Sequence, residues 1–111
     1  MAEYSPRKGD YIAINFDPQS GHEQRGRRPA LVVSNDLFNR HTGLCITCPI
    51  TSSERRYRFH VRLPEDEVVK GFVMVEQVKS IDFHSRGVKP LGKASEEVLD
   101  EVLALLDACI Y

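Results

Sequence analysis

Short stretches of alternating apolar and polar residues recur along the chain and predict β-strands. The clearest is 57–63, where apolar side chains point to one side and Arg58, His60 and Arg62 point to the other. Such alternation is typical of an antiparallel sheet with one face in water. A similar alternation over 11–16 predicts a half-buried strand near the start of the chain.

Other short apolar runs predict additional strands. The run 29–34 predicts a buried strand, with Pro29 at the first position, where no ladder N–H is needed, and 45–51 predicts another strand. The run 71–75 predicts a central strand, and 87–91 predicts a weaker one. Most of the chain is therefore expected to form a sheet.

The end of the chain has a helical pattern instead. Ser95 is a suitable N-cap, and Glu96 and Glu97 follow in the first turn, where the helix dipole favours negative charge. The apolar stripe of this helix consists of Val98, Leu99, Val102, Leu105, Leu106 and Cys109. A brief helical turn is also predicted from Asn35 to Arg40. These elements predict a mainly β fold with a C-terminal helix: a small, curved, antiparallel half-barrel closed by that helix.

Length and composition agree with one globular domain over 1–111. The chain has 111 residues and a mass of 12.6 kDa, too few for two independent cores. No apolar run approaches the ~20 residues of a membrane span, and no signal peptide is expected. Three cysteines in such a chain do not predict a disulfide framework, so we expect a cytoplasmic protein without a membrane role.

The formal net charge is −1, but the charges are unevenly distributed. Residues 91–111 contain one Lys and five acidic residues, whereas residues 1–90 contain 14 basic and 11 acidic residues and carry +3. The arginines form two clusters, Arg25, Arg27 and Arg28 in the first and Arg55, Arg56 and Arg58 in the second. Such clusters favour a local phosphate site over extended nucleic-acid wrapping; the alternative is an ordinary solvated surface.

Metal and cofactor chemistry are not predicted. Cys45 and Cys48 have CxxC spacing, but residues three apart on a strand point to opposite faces, so we expect buried structural cysteines. No second such pair completes a tetrahedral zinc site, and the four histidines have no metal-binding spacing. Serine-hydrolase and nucleotide-binding glycine motifs are also missing from the sequence.

The segment 21–29 concentrates chemistry between two predicted strands. It reads Gly-His-Glu-Gln-Arg-Gly-Arg-Arg-Pro and combines an imidazole, a carboxylate, an amide and three guanidinium groups. Loops held by a rigid sheet often carry binding and catalytic groups. Arginine beside a carboxylate or imidazole is suited to moving protons on a phosphodiester and balancing its developing charge. A surface hairpin with paired arginines is the alternative.

Several short motifs, taken in order, resemble the MazF/PemK toxins of toxin–antitoxin pairs. They are Gly9-Asp10, Asp17-Pro18, the 21–29 segment, Pro49-Ile50-Thr51 and the stretch 76–82, which reads Glu-Gln-Val-Lys-Ser-Ile-Asp. The resemblance covers nearly the whole chain, including Phe38-Asn39 and Arg86-Gly87, and the combination is specific although each piece alone is weak. It implies an SH3-like half-barrel with a C-terminal helix, in which two copies pair to make RNA grooves.

The resemblance also implies an activity. Members of this family are metal-independent, sequence-specific endoribonucleases that cut single-stranded mRNA and so inhibit translation and growth. The ribose 2′-OH attacks its own phosphate and leaves a 2′,3′-cyclic phosphate and a 5′-OH. The family's catalytic arginine, threonine and glutamate correspond to Arg28, Thr51 and Glu23. Arg28 would stabilise the phosphorane and Thr51 would donate a hydrogen bond to it.

The general base is left open between three residues. Glu23 is one candidate, and His22 is a rival because imidazole titrates near neutral pH. Both match the PemK-type branch, which also uses an acid at the position of Glu76; its nearby arginine is replaced here by Met74. The candidates for RNA contacts are Gln24, Arg25, Arg27, Asn39, Arg55, Arg56, Gln77 and Lys79, the cations for phosphates and the amides for base edges.

Two other functions compete with this one. A non-catalytic toxin of the same fold would poison DNA gyrase through the terminal helix, and an SH3-like interaction module would need an aromatic groove, which a chain without Trp supports poorly. For the ribonuclease we expect a homodimer, no cofactor, and a MazE-like antitoxin whose acidic, disordered tail covers the basic groove.

Overall fold

The computed structural model describes residues 4–15, 27–53 and 58–111. The strands are Asp10–Asn15 (β1), Arg27–Val32 (β2), Leu44–Thr51 (β3), His60–Arg62 (β4), Phe72–Met74 (β5), Lys79–Asp82 (β6) and Lys89–Lys93 (β7). The helices are Asp36–Thr42 (α1) and Glu96–Ile110 (α2), and a 3₁₀ turn spans Val75–Gln77. These seven strands form an open antiparallel sheet in the order β4-β5-β3-β2-β1-β7, with β6 also paired to β3. The predicted mainly β fold with a C-terminal helix is confirmed.

Strand β3 organises the sheet because it changes partner along its length. Its first half pairs with β6, from Leu44 opposite Asp82 to Thr47 opposite Lys79. Its last two residues pair with β5 instead, and Thr51 lies opposite Phe72. The 3₁₀ turn lies in the chain between β5 and β6 and packs against β3. The carboxyl end of β3 is thereby surrounded by β2, β5 and the 3₁₀ turn.

The sheet has a hydrophobic cluster on each face. On the side that we call the helix face, residues such as Tyr11, Leu31 and Cys48 pack with Val98 and Val102 of α2. The opposite side, the far face, carries a second cluster of Ile12, Ala30, Val32, Cys45, Ile81 and Phe83. The prediction that Cys45 and Cys48 point to opposite faces and are buried is therefore confirmed.

Burial on both faces corrects the prediction for the first strand. Tyr11 and Ile12 are both 0% exposed, one in each cluster, so β1 is not half-buried. The reason is its place between β2 and β7, with the α2 cluster on one side and the second cluster on the other. Phe16, which the alternation included, lies outside the described residues.

Several elements begin or end at residues other than those predicted. The described part of the 57–63 strand is reduced to His60–Arg62, and the weak strand at 87–91 begins two residues later, at Lys89. The brief helical turn is α1: the Asn35 side chain accepts a hydrogen bond from Phe38 N at 2.8 Å, and Gly43 ends the helix at a φ of +73°.

Helix α2 forms largely as its sequence predicts. Ser95 Oγ accepts a hydrogen bond from Val98 N at 3.2 Å, which caps the helix. Val98 and Val102 are buried. Cys109 is exposed, so its assignment to the packed stripe is wrong; residues 107–111 are all exposed because the last turn extends beyond the packed cluster. Among the described residues, no helix has the length and apolar character to cross a membrane.

Candidate functional site

Arg28 and Thr51 lie on the same face of the sheet. Strand β2 pairs with β3 at Ala30–Pro49 and at Val32–Thr47. Arg28 and Thr51 each lie two residues beyond the Ala30–Pro49 pair, at the open end of this ladder. Alternate residues of a strand share a face, as do paired residues on neighbouring strands. Both side chains therefore belong to the far face.

A small cavity of about 30 Å³ opens on the far face next to Arg28. Apolar side chains from four strands, β1, β2, β3 and β6, form part of its lining, and three basic residues, Arg28, Lys79 and Arg86, also line it. The volume is close to that of about one water molecule. A cavity this small, with basic residues in its lining, suits an anionic group bound at the surface better than a ligand that is fully enclosed.

Of the other two basic residues in the lining, one was predicted to contact RNA and one was not. Lys79, a predicted phosphate contact, is exposed and lies opposite Thr47 in the β3–β6 ladder. Arg86 was not among the predicted contacts, and it reaches the cavity from the turn after β6, where its backbone carbonyl accepts a hydrogen bond from Asn15 N at 3.2 Å. Arg86 entered the sequence analysis only as part of the Arg86-Gly87 pair in the family resemblance, and an isolated arginine in a turn does not by itself predict this placement.

The backbone at Thr51 is fixed by a close approach of Gly71. A Cβ at Gly71 would lie 2.3 Å from the carbonyl oxygen of Thr51, and the φ of Gly71 is +121°. Only glycine allows the chain to enter β5 at this distance. The Thr51 hydroxyl accepts a hydrogen bond from Ser53 N at 3.1 Å, which leaves its proton to be donated to another group.

The register also brings His60 to the far face. Phe72 lies opposite Thr51 on one side and opposite Arg62 on the other. His60 is two residues before Arg62 and therefore shares this face. The prediction that His60 and Arg62 point away from the apolar residues of their strand agrees with this register. The prediction that His60 is wet is wrong: its side chain is 2% exposed because the 3₁₀ turn packs against β4.

The buried imidazole holds one of the candidate bases. His60 Nε2 lies 3.0 Å from Glu76 Oε2, and the Glu76 side chain is 36% exposed. Glu76 lies in the 3₁₀ turn, two residues after Met74, which is the pairing partner of His60. An accessible carboxylate is thus anchored from the face that also carries Arg28 and Thr51. Sequence reasoning selected Glu76 but missed His60.

Asn39 was predicted to contact RNA, and this prediction is wrong. Its side chain is 0% exposed. The Nδ2 group donates hydrogen bonds to the carbonyl oxygens of Pro6, at 2.8 Å, and Ser34, at 3.3 Å. Its Oδ1 accepts a hydrogen bond from Ser34 Oγ at 2.5 Å. These bonds tie the N-terminal segment to α1, so Asn39 is a structural residue that no base edge can reach.

The roles of the remaining predicted site residues stay predictions. Gln77 is exposed in the 3₁₀ turn, and Arg27 begins β2. The residues outside the described ranges are His22, Glu23, Gln24, Arg25, Arg55 and Arg56. Within the ranges that are described, no group of three His, Cys, Asp or Glu side chains is arranged to hold a metal ion.

Comparison with known proteins identifies the family. Residues 7–110 match the family described as PemK-like, MazF-like toxin of type II toxin–antitoxin systems. The chain belongs to this toxin family. It is 37% identical to the endoribonuclease toxin MazF of Escherichia coli K12 over 99% of this chain and 98% of that protein. It is 44% identical to the endoribonuclease toxin ChpB of the same strain over 93% of this chain and 92% of that protein.

Solved structures agree with this assignment. A crystal structure of MazE–MazF from Deinococcus radiodurans matches with a TM-score of 0.89 and 42% identity over 97% of each chain. A mycobacterial endoribonuclease in complex with its antitoxin matches with a TM-score of 0.80 at 21% identity, which supports the fold alone. The named endoribonuclease relatives give no support to the gyrase alternative.

Proposed function

We propose that this toxin is a metal-independent endoribonuclease that cleaves single-stranded mRNA. The observation that carries the proposal is that Arg28 and Thr51 share the far face, on which Arg28 and two other basic residues line a cavity. The endoribonuclease names of the E. coli relatives support the same reaction. Exposed base edges in single-stranded RNA would supply the sequence specificity.

In the proposed reaction the ribose 2′ oxygen attacks the adjacent phosphorus. A P–O2′ bond forms, the P–O5′ bond breaks, and the products are a 2′,3′-cyclic phosphate and a 5′-OH. A base accepts the 2′-OH proton, and the departing 5′ oxygen takes up a proton, from solvent or relayed through Arg28. The guanidinium of Arg28 and the hydroxyl of Thr51 would donate hydrogen bonds to the phosphorane oxygens, where negative charge accumulates.

Three residues remain candidates for the base. Glu23 and His22 lie outside the described residues. Glu76 has support from geometry, since its carboxylate is partly exposed and bonded to His60 on the far face. Replacing each by the non-basic residue glutamine, as Glu23→Gln, His22→Gln and Glu76→Gln, separates them, because loss of the base removes an acceleration of about 10²–10⁴-fold.

The decisive experiment is RNA cleavage by the purified protein in EDTA, with the new ends identified chemically. We expect cuts at one short motif and 5′-OH ends that polynucleotide kinase labels without phosphatase treatment. Arg28→Ala is expected to lower kcat by about 10²–10³-fold while circular dichroism shows a folded protein. Arg40→Ala is the matched control, because Arg40 is an exposed arginine of α1 without an assigned role.

The outcomes are distinct. Full activity in Arg28→Ala contradicts the mechanism. Inhibition of gyrase without RNA cleavage would instead establish the alternative function.

We further propose a homodimer in the cytoplasm, where its mRNA substrate is translated. The antitoxin would be MazE-like, with an acidic, disordered tail that covers the basic groove by charge complementarity and folds on binding. The D. radiodurans MazE–MazF structure supports such a partner. A monomer in sedimentation at micromolar concentration would contradict the shared-groove arrangement.

A further inference from the structure

We infer that His60 is a positioning residue of the active site, which holds the Glu76 carboxylate in one orientation for RNA cleavage. The inference rests on the proposed ribonuclease function and adds a residue to it. His60 Nε2 and Glu76 Oε2 are 3.0 Å apart. This bond joins a buried side chain to an accessible one, which is the arrangement expected of a support and the group that it supports.

The two side chains differ in their freedom. The imidazole of His60 is 2% exposed and is carried by β4, which is paired to β5. Glu76 is carried by a 3₁₀ turn and reaches solvent, so its several rotatable bonds would allow many conformations. A hydrogen bond from the fixed imidazole selects one of them. The rigid strand thereby determines where the carboxylate lies.

The chemistry of the two groups fixes the direction of the bond. As a base in the proposed reaction, Glu76 is an ionised carboxylate that only accepts hydrogen bonds, so this role requires Nε2 of His60 to carry a hydrogen and donate the hydrogen bond. A carboxylate has about four acceptor positions, so the bond from His60 leaves capacity for a substrate hydroxyl.

The test is a double-mutant cycle on RNA cleavage with His60→Leu, His60→Gln and Glu76→Gln. We expect H60L to lower kcat by about tenfold with KM little changed, because the carboxylate is displaced but RNA contacts are kept. H60Q retains an N–H donor and is expected to recover most of the rate. In the E76Q background H60L should have no further effect, since His60 acts through Glu76.

His41→Gln is the matched control, because it removes an exposed imidazole from α1. Its kcat should equal that of the unaltered protein. A wild-type rate in H60L, additive losses in the double variant, or an H60Q rate as low as that of H60L would each overturn the inference. All rates are measured below the midpoint of thermal unfolding of each variant, so that loss of fold is not counted as loss of rate.

A spectroscopic measurement covers the case in which H60L does not fold. Long-range ¹H–¹⁵N NMR identifies which ring nitrogen of His60 carries the proton, and we expect Nε2–H, with a signal that moves in E76Q. An Nε2 signal unaffected by E76Q would overturn the inference. Failure of the proposed function is a different result: the unaltered protein does not cut RNA, or Arg28→Ala keeps its full rate.

Discussion

Arg28 of β2 and Thr51 of β3 lie on one face of the sheet, each two residues beyond the paired Ala30 and Pro49. The ladder between their strands thus places a permanently charged guanidinium and a hydroxyl at the same end of two neighbouring strands. Strand pairing is rigid compared with loops. The relative position of these two groups is therefore set by the fold, which in the proposed reaction is the condition for electrostatic stabilisation of the transition state.

The hydroxyl of Thr51 gives the first prediction. Thr51→Val keeps the shape of the side chain but removes the donor, and it should lower kcat for RNA cleavage by about tenfold or more. Thr51→Ser keeps the hydroxyl and should retain most of the rate. Equal rates in the valine and serine variants would show that the hydroxyl makes no contact with the phosphate. Gly71, which approaches the Thr51 carbonyl, is left unchanged in both.

The second prediction concerns Asn39. Asn39→Ala leaves the carbonyl of Pro6 and the hydroxyl of Ser34 without their buried partner, so the free energy of unfolding should fall by about 2 kcal/mol. The cleavage rate per folded molecule should not change. Urea unfolding and RNA cleavage, compared with Arg40→Ala on the same helix, check both statements. A loss of cleavage at unchanged stability would restore a role for Asn39 in RNA binding.

The sequence predicted the helices and strands more readily than it predicted which of their faces are buried. The Ser95 cap and the alternation around Val61 were sufficient for α2 and β4, because these signals are local. The two-sided burial of β1 was missed, since it depends on β7 and α2, which lie far along the chain. Alternation of apolar with small or polar residues along one strand does not reveal that hydrophobic clusters cover both of its faces.

The same distinction applies to the site. Arg28 and Thr51 were selected through motifs, and their common face follows from the register between β2 and β3. The error at Asn39 has a physical cause: an amide side chain can read a base edge only when it is exposed, and the buried amide of Asn39 donates to backbone carbonyls instead. His60 was missed because its partner Glu76 comes from a different element.

The third prediction is that the free energy of unfolding depends on pH through the ionisation of Glu67. Burial raises its pKa, but the hydrogen bonds from Tyr11 and Ser95 act in the other direction, and the net pKa is lowered. Tyr11 Oη donates to Glu67 Oε1 at 2.5 Å, and Ser95 N donates at 3.4 Å. The ionised Glu67 carboxylate therefore stabilises the folded state. Its stabilising free energy is fully present above the ordinary carboxyl pKa of about 4.3 and is lost as the pH falls through the lower pKa of the folded state.

Tyr11→Phe removes the main donor to this carboxylate. The variant should be less stable by about 1 kcal/mol at pH 7, a low value because Glu67 is partly exposed. The difference from the unaltered protein should shrink as the pH is lowered from about 7 to about 3. Thermal unfolding across this range measures it, with Glu65→Gln, an exposed neighbour, as control. A difference that is constant with pH would exclude the carboxylate as the cause.

The fourth prediction separates the three cysteines by reactivity. Burial raises the pKa of both Cys45 and Cys48 to about 12, so almost no thiolate is present at neutral pH, and each side chain is enclosed in its own cluster. Cys109 is exposed near the end of α2. A thiol reagent should therefore label one cysteine in the native protein and three after denaturation, and Cys109→Ser should abolish native labelling. Mass spectrometry of the labelled peptides identifies the sites.

Native labelling of Cys45 or Cys48 would contradict the structural role of this pair. Tight retention of zinc by the purified protein would also contradict it, because sulfurs on opposite faces of β3 cannot ligate one ion without unpairing the strand.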